Sequence, residues 1–164
     1  AEDGTQKNRG LELMADGHAT RNLRLFGGAT WLNPRLHDTA TASANGKQVV
    51  GLPRFTASML AVYSIEQLPG VDVDTNVRYV GRRATDNAND SWVGSYTTVD
   101  VGGSYATRIS NTPVTFRLDV TNLANRHYWT NVVPGALTGY TGAGNASAQL
   151  GAPRQAQLSM QIDF

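Results

Sequence analysis

Gln155-Ala156-Gln157-Leu158-Ser159-Met160-Gln161-Ile162-Asp163-Phe164 closes the chain. Side chains of an extended strand alternate between two faces. Ala156, Leu158, Met160, Ile162 and Phe164 therefore share one face, and Gln155, Gln157, Ser159, Gln161 and Asp163 share the other. Such a strand separates an apolar medium from a wet one. No helical stripe at i, i+3, i+4, i+7 fits the same residues.

The same period recurs upstream. Val71, Val73, Thr75, Val77 and Tyr79 oppose Asp72, Asp74, Asn76 and Arg78; Val114, Phe116, Leu118 and Val120 oppose Thr115, Arg117, Asp119 and Thr121. Weaker alternation runs through Leu11, Leu13 and Ala15, through Leu23, Leu25, Ala29 and Trp31, through Phe55, Ala57, Met59, Ala61 and Tyr63, and through Val99, Val101 and Tyr105. The reading is all-β: an antiparallel meander of about seven strands of about ten residues, the length that crosses a bilayer at the usual tilt.

The connections strengthen it. Gly17 to Asn22, Glu66 to Gly70 and Thr107 to Thr112 are short, whereas His37 to Leu52, Arg83 to Gly94 and Leu123 to Gly151 are long. Strict alternation of short and long connections is the habit of outer-membrane barrels, with short periplasmic turns and longer outer loops. Trp31, Tyr63, Tyr79, Tyr105 and Phe164 fall near predicted strand ends on the apolar face, where interfacial girdles form. A soluble β-sandwich also alternates, but its strands are usually shorter, and mid-strand charges such as Asp74, Arg78, Arg117 and Asp119 suit a wet lumen. A passive porin or adhesin barrel shares the pattern.

Composition sets the outer bounds. The 164 residues are 40% hydrophobic and 16% charged, with 17 glycines, no cysteine and a net charge of +1. The absence of cysteine excludes a disulfide framework, thiolate metal sites and cysteine catalysis. With no basic run longer than Arg82-Arg83, nucleic acid is not an expected partner. Seven strands leave two open edges, which lipid does not tolerate. Further strands are therefore expected before Ala1, a start that has neither an initiator Met nor the apolar core of a signal peptide.

Catalytic and metal chemistry find no support. His18, His37 and His127 are scattered among turns and loops, without ligand partners at useful spacing. Asp86-Asn87-Ala88-Asn89-Asp90 puts Ala88 where a calcium ligand belongs and lacks the EF-hand glycine, so a polar outer loop is expected. Gly142-Ala143-Gly144 lacks the third glycine and the helix of a dinucleotide site. No enzyme activity, cofactor or metal is expected. Trp92, Tyr96, Trp129 and Tyr140 lie in or beside the long loops, and aromatics at a barrel mouth are candidate ligand contacts.

Several short elements resemble the TonB-dependent outer-membrane receptors. Asn122-Leu123-Ala124-Asn125-Arg126-His127-Tyr128 resembles the element before the last strand of that family, and Gly151-Ala152-Pro153-Arg154 the element that opens it. Arg9-Gly10-Leu11-Glu12-Leu13 resembles a strand found further upstream in that family, Gly51-Leu52-Pro53-Arg54 followed by a strand also fits, and the Gln155 to Phe164 run with its final Phe164 resembles the signal read by the barrel assembly machinery. Each also has a structural reading: Asn accepts unusual backbone angles, and proline is allowed where a strand begins. These elements are expected to shape the barrel and not to bind ligand.

The resemblance implies a 22-stranded barrel in the outer membrane of a Gram-negative bacterium, filled by an N-terminal plug. It also implies active uptake of ferric siderophores, driven by the inner-membrane TonB complex through an N-terminal box. Neither plug nor box is in these residues, so residues 1–164 are expected to be the C-terminal segment of such a barrel.

Overall fold

A computed structural model describes residues 4–133 and 146–163. Phe164 and Tyr140, the expected assembly signal and one expected ligand contact, lie outside the described residues, as does Gly142-Ala143-Gly144. Seven long strands form one antiparallel sheet: β1 (Thr5–His18), β2 (Leu23–His37), β3 (Phe55–Ser64), β4 (Val71–Val80), β7 (Tyr96–Ile109), β8 (Thr112–Thr121) and β11 (Gln155–Ile162). Each pairs with the next long strand in sequence, so the sheet is a meander. Two small hairpins, β5 (Arg83–Ala84) with β6 (Trp92–Val93) and β9 (Trp129–Val133) with β10 (Ser147–Leu150), sit inside the long connections. A sandwich would need a second sheet packed on the first; these strands form one sheet.

Register explains why the period is legible. Leu13 pairs with Ala29, Ala29 with Ala57, Ala57 with Tyr79, and Tyr79 with Thr97. Leu118 likewise bridges Gly103 and Leu158. Every apolar set read from the sequence thus meets its neighbour on one continuous face. A slip of one residue would put an apolar set on the opposite face.

Two aromatic rows bound that face. Trp31, Phe55 and Tyr79 form the upper row, with ring centroids 4.9 Å and 5.7 Å apart. Tyr63 and Tyr105 mark the lower end, beside the short turns. Phe55 and Tyr63 are eight residues apart on β3. At about 3.3 Å per residue and about 40° of tilt, that is roughly 20 Å along the membrane normal, close to the apolar band of such barrels.

The other face is polar and carries paired charges. Arg117 Nη2 lies 2.9 Å from Asp74 Oδ1 and 2.7 Å from Asp119 Oδ1, and Arg24 pairs with Asp16 at 2.9 Å. Gly102 makes room for the first cluster: a Cβ there would sit 2.7 Å from both Arg117 Nη2 and Asp74 Oδ2. Phe26 and Leu60, direct cross-strand partners, are apolar residues on this face, as are Met14 and Val62.

The strand limits differ from the expected ones. β1 begins at Thr5 and ends at His18, β2 runs to His37 and β7 to Ile109, so the short turns shrink toward Ala19–Asn22 and Ser110-Asn111. The added residues project beyond the aromatic rows, out of the hydrocarbon band, and alternation disappears there. The outer edges of β1 and β11 pair with no strand among the described residues.

Candidate functional site

The three long connections emerge at one end of the sheet and bond to one another there. The first, after His37, folds back on its own strand: Gly46 donates its N–H to Leu36 O (2.8 Å), and Leu36 donates to Lys47 O (3.0 Å). Leu36, Ala44 and Val49 are buried together beneath it, with Leu52 alongside. This small core gives the connection a fixed shape that a polar loop would lack.

Reciprocal amide contacts join the first connection to the second. Gln48 donates its N–H to Asn89 Oδ1 (2.7 Å), and Asn89 Nδ2 donates to Gln48 O (2.9 Å). Gly51 donates its N–H to Ala84 O (3.0 Å). Gly51 is at φ 78°, and a Cβ there would stand 2.0 Å from Val132 O of the third connection, so no other residue fits. In the second connection, the Asp86 carboxylate accepts the N–H groups of Asp90 (3.0 Å) and Ser91 (2.7 Å). The polar run at residues 86–90 therefore folds a turn, as a polar outer loop should.

Arg83 ties the second connection to the third. It is only 4% exposed. Nη1 donates to Thr130 O (3.1 Å), Nη2 donates to Trp129 O, and the guanidinium stands 5.8 Å from the centre of the Tyr96 ring. Tyr96 stacks on Tyr128 at 4.3 Å. The Tyr128 ring covers Gly151, where a Cβ would meet it at 2.2 Å, and Gly151 donates its N–H to Tyr128 O (2.7 Å).

The two elements around the third connection interlock in the same way. Asn122, at φ 49°, donates its N–H to Asp100 Oδ1 (2.8 Å) and its Nδ2 to Arg126 O (2.9 Å) and Ala152 O (3.0 Å). Asn125, at φ 48°, accepts the N–H of Arg154 (3.0 Å). Asn122, Asn125, Tyr128, Gly151 and Arg154 therefore shape the entry to β11, as their structural reading anticipated.

The three candidate ligand contacts among the described residues, Trp92, Tyr96 and Trp129, have different surroundings. Trp92 donates its Nε1–H to Asn89 O (2.8 Å) and carries Arg82 4.5 Å above its ring. Tyr96 is buried in the Arg83 and Tyr128 stack, whereas Trp129 is 45% exposed. Sequence reading missed Arg83 as an organiser of the mouth, because its only signal was a cation in a loop. Tyr128 was legible as the end of a strand-shaping element, but its stacking on Tyr96 was not. Among the described residues no group of His, Asp or Glu is placed to hold a metal.

A sheet with a lipid-facing side bounded by aromatics, a charged inner side and a mouth of mutually bonded long connections defines a section of an outer-membrane β-barrel. A family model described as TonB dependent receptor-like, β-barrel matches residues 1–123, and the chain belongs to that family. The family is one of receptors and transporters, not enzymes, and its place is the outer membrane of Gram-negative bacteria.

The ferrichrome receptor FcuA of Yersinia enterocolitica is 30% identical over 161 residues, covering 98% of this chain and 20% of the relative. The ferrioxamine B receptor of Salmonella typhimurium (strain LT2) is 29% identical over 128 residues, covering 76% of this chain and 18% of that protein. The crystal structure of BauA, the ferric preacinetobactin receptor from Acinetobacter baumannii, superposes with a TM-score of 0.84 at 32% identity, over 100% of this chain and 23% of its own. The chain thus spans about a fifth of the length of these proteins.

Proposed function

We propose that these residues are the C-terminal barrel segment of a receptor that takes up a ferric siderophore across the outer membrane. The observation that carries the reading is the fit of the whole chain, mouth included, to the ferric preacinetobactin receptor. Relatives named as receptors for ferrichrome and ferrioxamine B support an iron chelate as the ligand, without choosing one.

In this reading the inner-face charges line a wet lumen that a plug domain fills, and energy comes from the TonB complex through a region outside these residues. The long connections meet the ligand, with Trp129 and Tyr140 as its aromatic contacts; Trp92 and Tyr96 act by holding those connections in place. The barrel assembly machinery reads the end of β11, including Phe164.

Uptake of radiolabelled iron by cells expressing the full-length receptor under iron restriction tests this. Ferrichrome, ferrioxamine B and preacinetobactin are the ligands to offer first. Accumulation of at least one chelate that stops when TonB is deleted is the expected result. Accumulation that persists without TonB would identify a passive porin, and none from a broad chelate panel would reject the siderophore assignment.

A further inference from the structure

We propose that Arg35, Arg54 and Arg82 form a clasp on the outside of the barrel for a phosphorylated lipid headgroup of the outer leaflet. The three arginines line one open cleft of about 510 Å³, together with Phe55, Tyr79 and Trp92. No acidic residue is among the described residues that line it.

Position supplies the first argument. Phe55 and Tyr79 belong to the aromatic row that bounds the lipid-facing side, at the end where the long connections emerge. Arg35 shares the face of Trp31 on β2, two residues beyond Asn33. Lys7, directly opposite Arg35 on β1, and Arg9, opposite Asn33, continue the cationic level onto the next strand. Aromatic belts sit at headgroup depth. Cations that share one cleft with these rings, just above the belt, are at the depth of lipid phosphates.

Preorganisation supplies the second. Arg35 Nε donates to Asn33 Oδ1 (2.9 Å) and Nη1 to Gly46 O (2.8 Å), so its guanidinium is already oriented. Arg82 is held over Trp92, whose indole is itself bonded to Asn89. The backbone of Arg54 is fixed where its carbonyl accepts the N–H of Leu32 (2.9 Å), while its side chain is exposed. Three guanidinium groups without a carboxylate repel one another unless an anion joins them. A phosphomonoester, with up to about two negative charges and several acceptor oxygens, matches their fork geometry.

The test uses the full-length receptor purified in detergent, with bound lipid measured by native mass spectrometry. The probes are diphosphoryl lipid A, monophosphoryl lipid A and inorganic phosphate. Wild-type protein is expected to prefer the diphosphoryl form. The R54Q/R82Q double variant is expected to lose about tenfold in affinity for it, while R21Q, which removes a cation from a short turn at the opposite end, loses nothing. Iron uptake by R54Q/R82Q should match wild type. Equal lipid retention by both proteins would overturn the proposal. So would inorganic phosphate at millimolar concentration displacing the lipid, which would mark a free-anion site. Loss of iron uptake with lipid binding intact would place the cleft on the ligand route and also overturn it.

Discussion

Arg83 is a buried cation with no acidic partner among the described residues, and its surroundings explain how it is tolerated. Two backbone carbonyls of the third connection and the face of Tyr96 replace the water it lost. Its Nε has no hydrogen-bond partner among the described residues, so the contacts of the two terminal nitrogens carry the link. Replacing Arg83 by Met keeps most of the volume and removes both bonds. Bonds from a charged donor are worth about 1.5–3 kcal/mol each before the gain from burying an apolar chain instead. In the full-length receptor, Arg83→Met is expected to raise amide hydrogen exchange at Trp129–Val133 by about tenfold or more, with exchange in β3 and β4 unchanged. Arg83→Lys should fall between, because a single ammonium does not reproduce the fork. Unchanged exchange in Arg83→Met would show that the third connection is held by other contacts.

Ser110 and Asn111 form the whole turn between β7 and β8, with φ of 50° and 68°, while Ile109 pairs with Thr112. Positive φ at both central positions is the geometry of a type I′ hairpin, the turn whose twist suits paired strands. Serine occupies that region at a cost that asparagine and glycine largely avoid. Changing Ser110-Asn111 to Asn-Gly is therefore expected to stabilise the barrel by about 0.5–1 kcal/mol, read as a higher urea midpoint in lipid vesicles. A lower midpoint would mean that this turn is held by contacts its backbone angles do not reveal. The turn also illustrates what sequence alone conveys. Its place was legible because alternation stops between Tyr105 and Val114, but its two-residue length was not, since Thr107, Arg108 and Ile109 pair below the lower aromatic row. Long-range pairs were hidden for a different reason. The bond between Gln48 and Asn89 joins residues far apart in the chain, and neither neighbourhood carries a pattern. Period two reports which medium a residue faces. It is silent about which loop a side chain reaches.

The molecule as a whole is a boundary between two solvents, and the alternation of β11 makes that claim testable with two adjacent residues. Gln157 pairs with Asp119 on the charged inner face, and Leu158 pairs with Leu118 on the outer one. Leu158 is 75% exposed, among the most exposed large apolar residues described, although it lies near the middle of the strand. In a soluble protein, such a leucine would be an inert surface position, and arginine would replace it at almost no cost. In a bilayer the same change brings a cation into hydrocarbon, at about 2–4 kcal/mol near the midplane of a barrel. Gln157→Arg brings the same side chain to the wet side, opposite a carboxylate, where at most about 1 kcal/mol of either sign is expected. Equilibrium urea unfolding of the full-length receptor in phospholipid vesicles should therefore separate the variants, with Leu158→Arg strongly destabilised and Gln157→Arg close to wild type. Equal midpoints would mean that both faces of β11 meet the same medium. The apolar row from Ala156 to Ile162 would then need a protein partner in place of lipid.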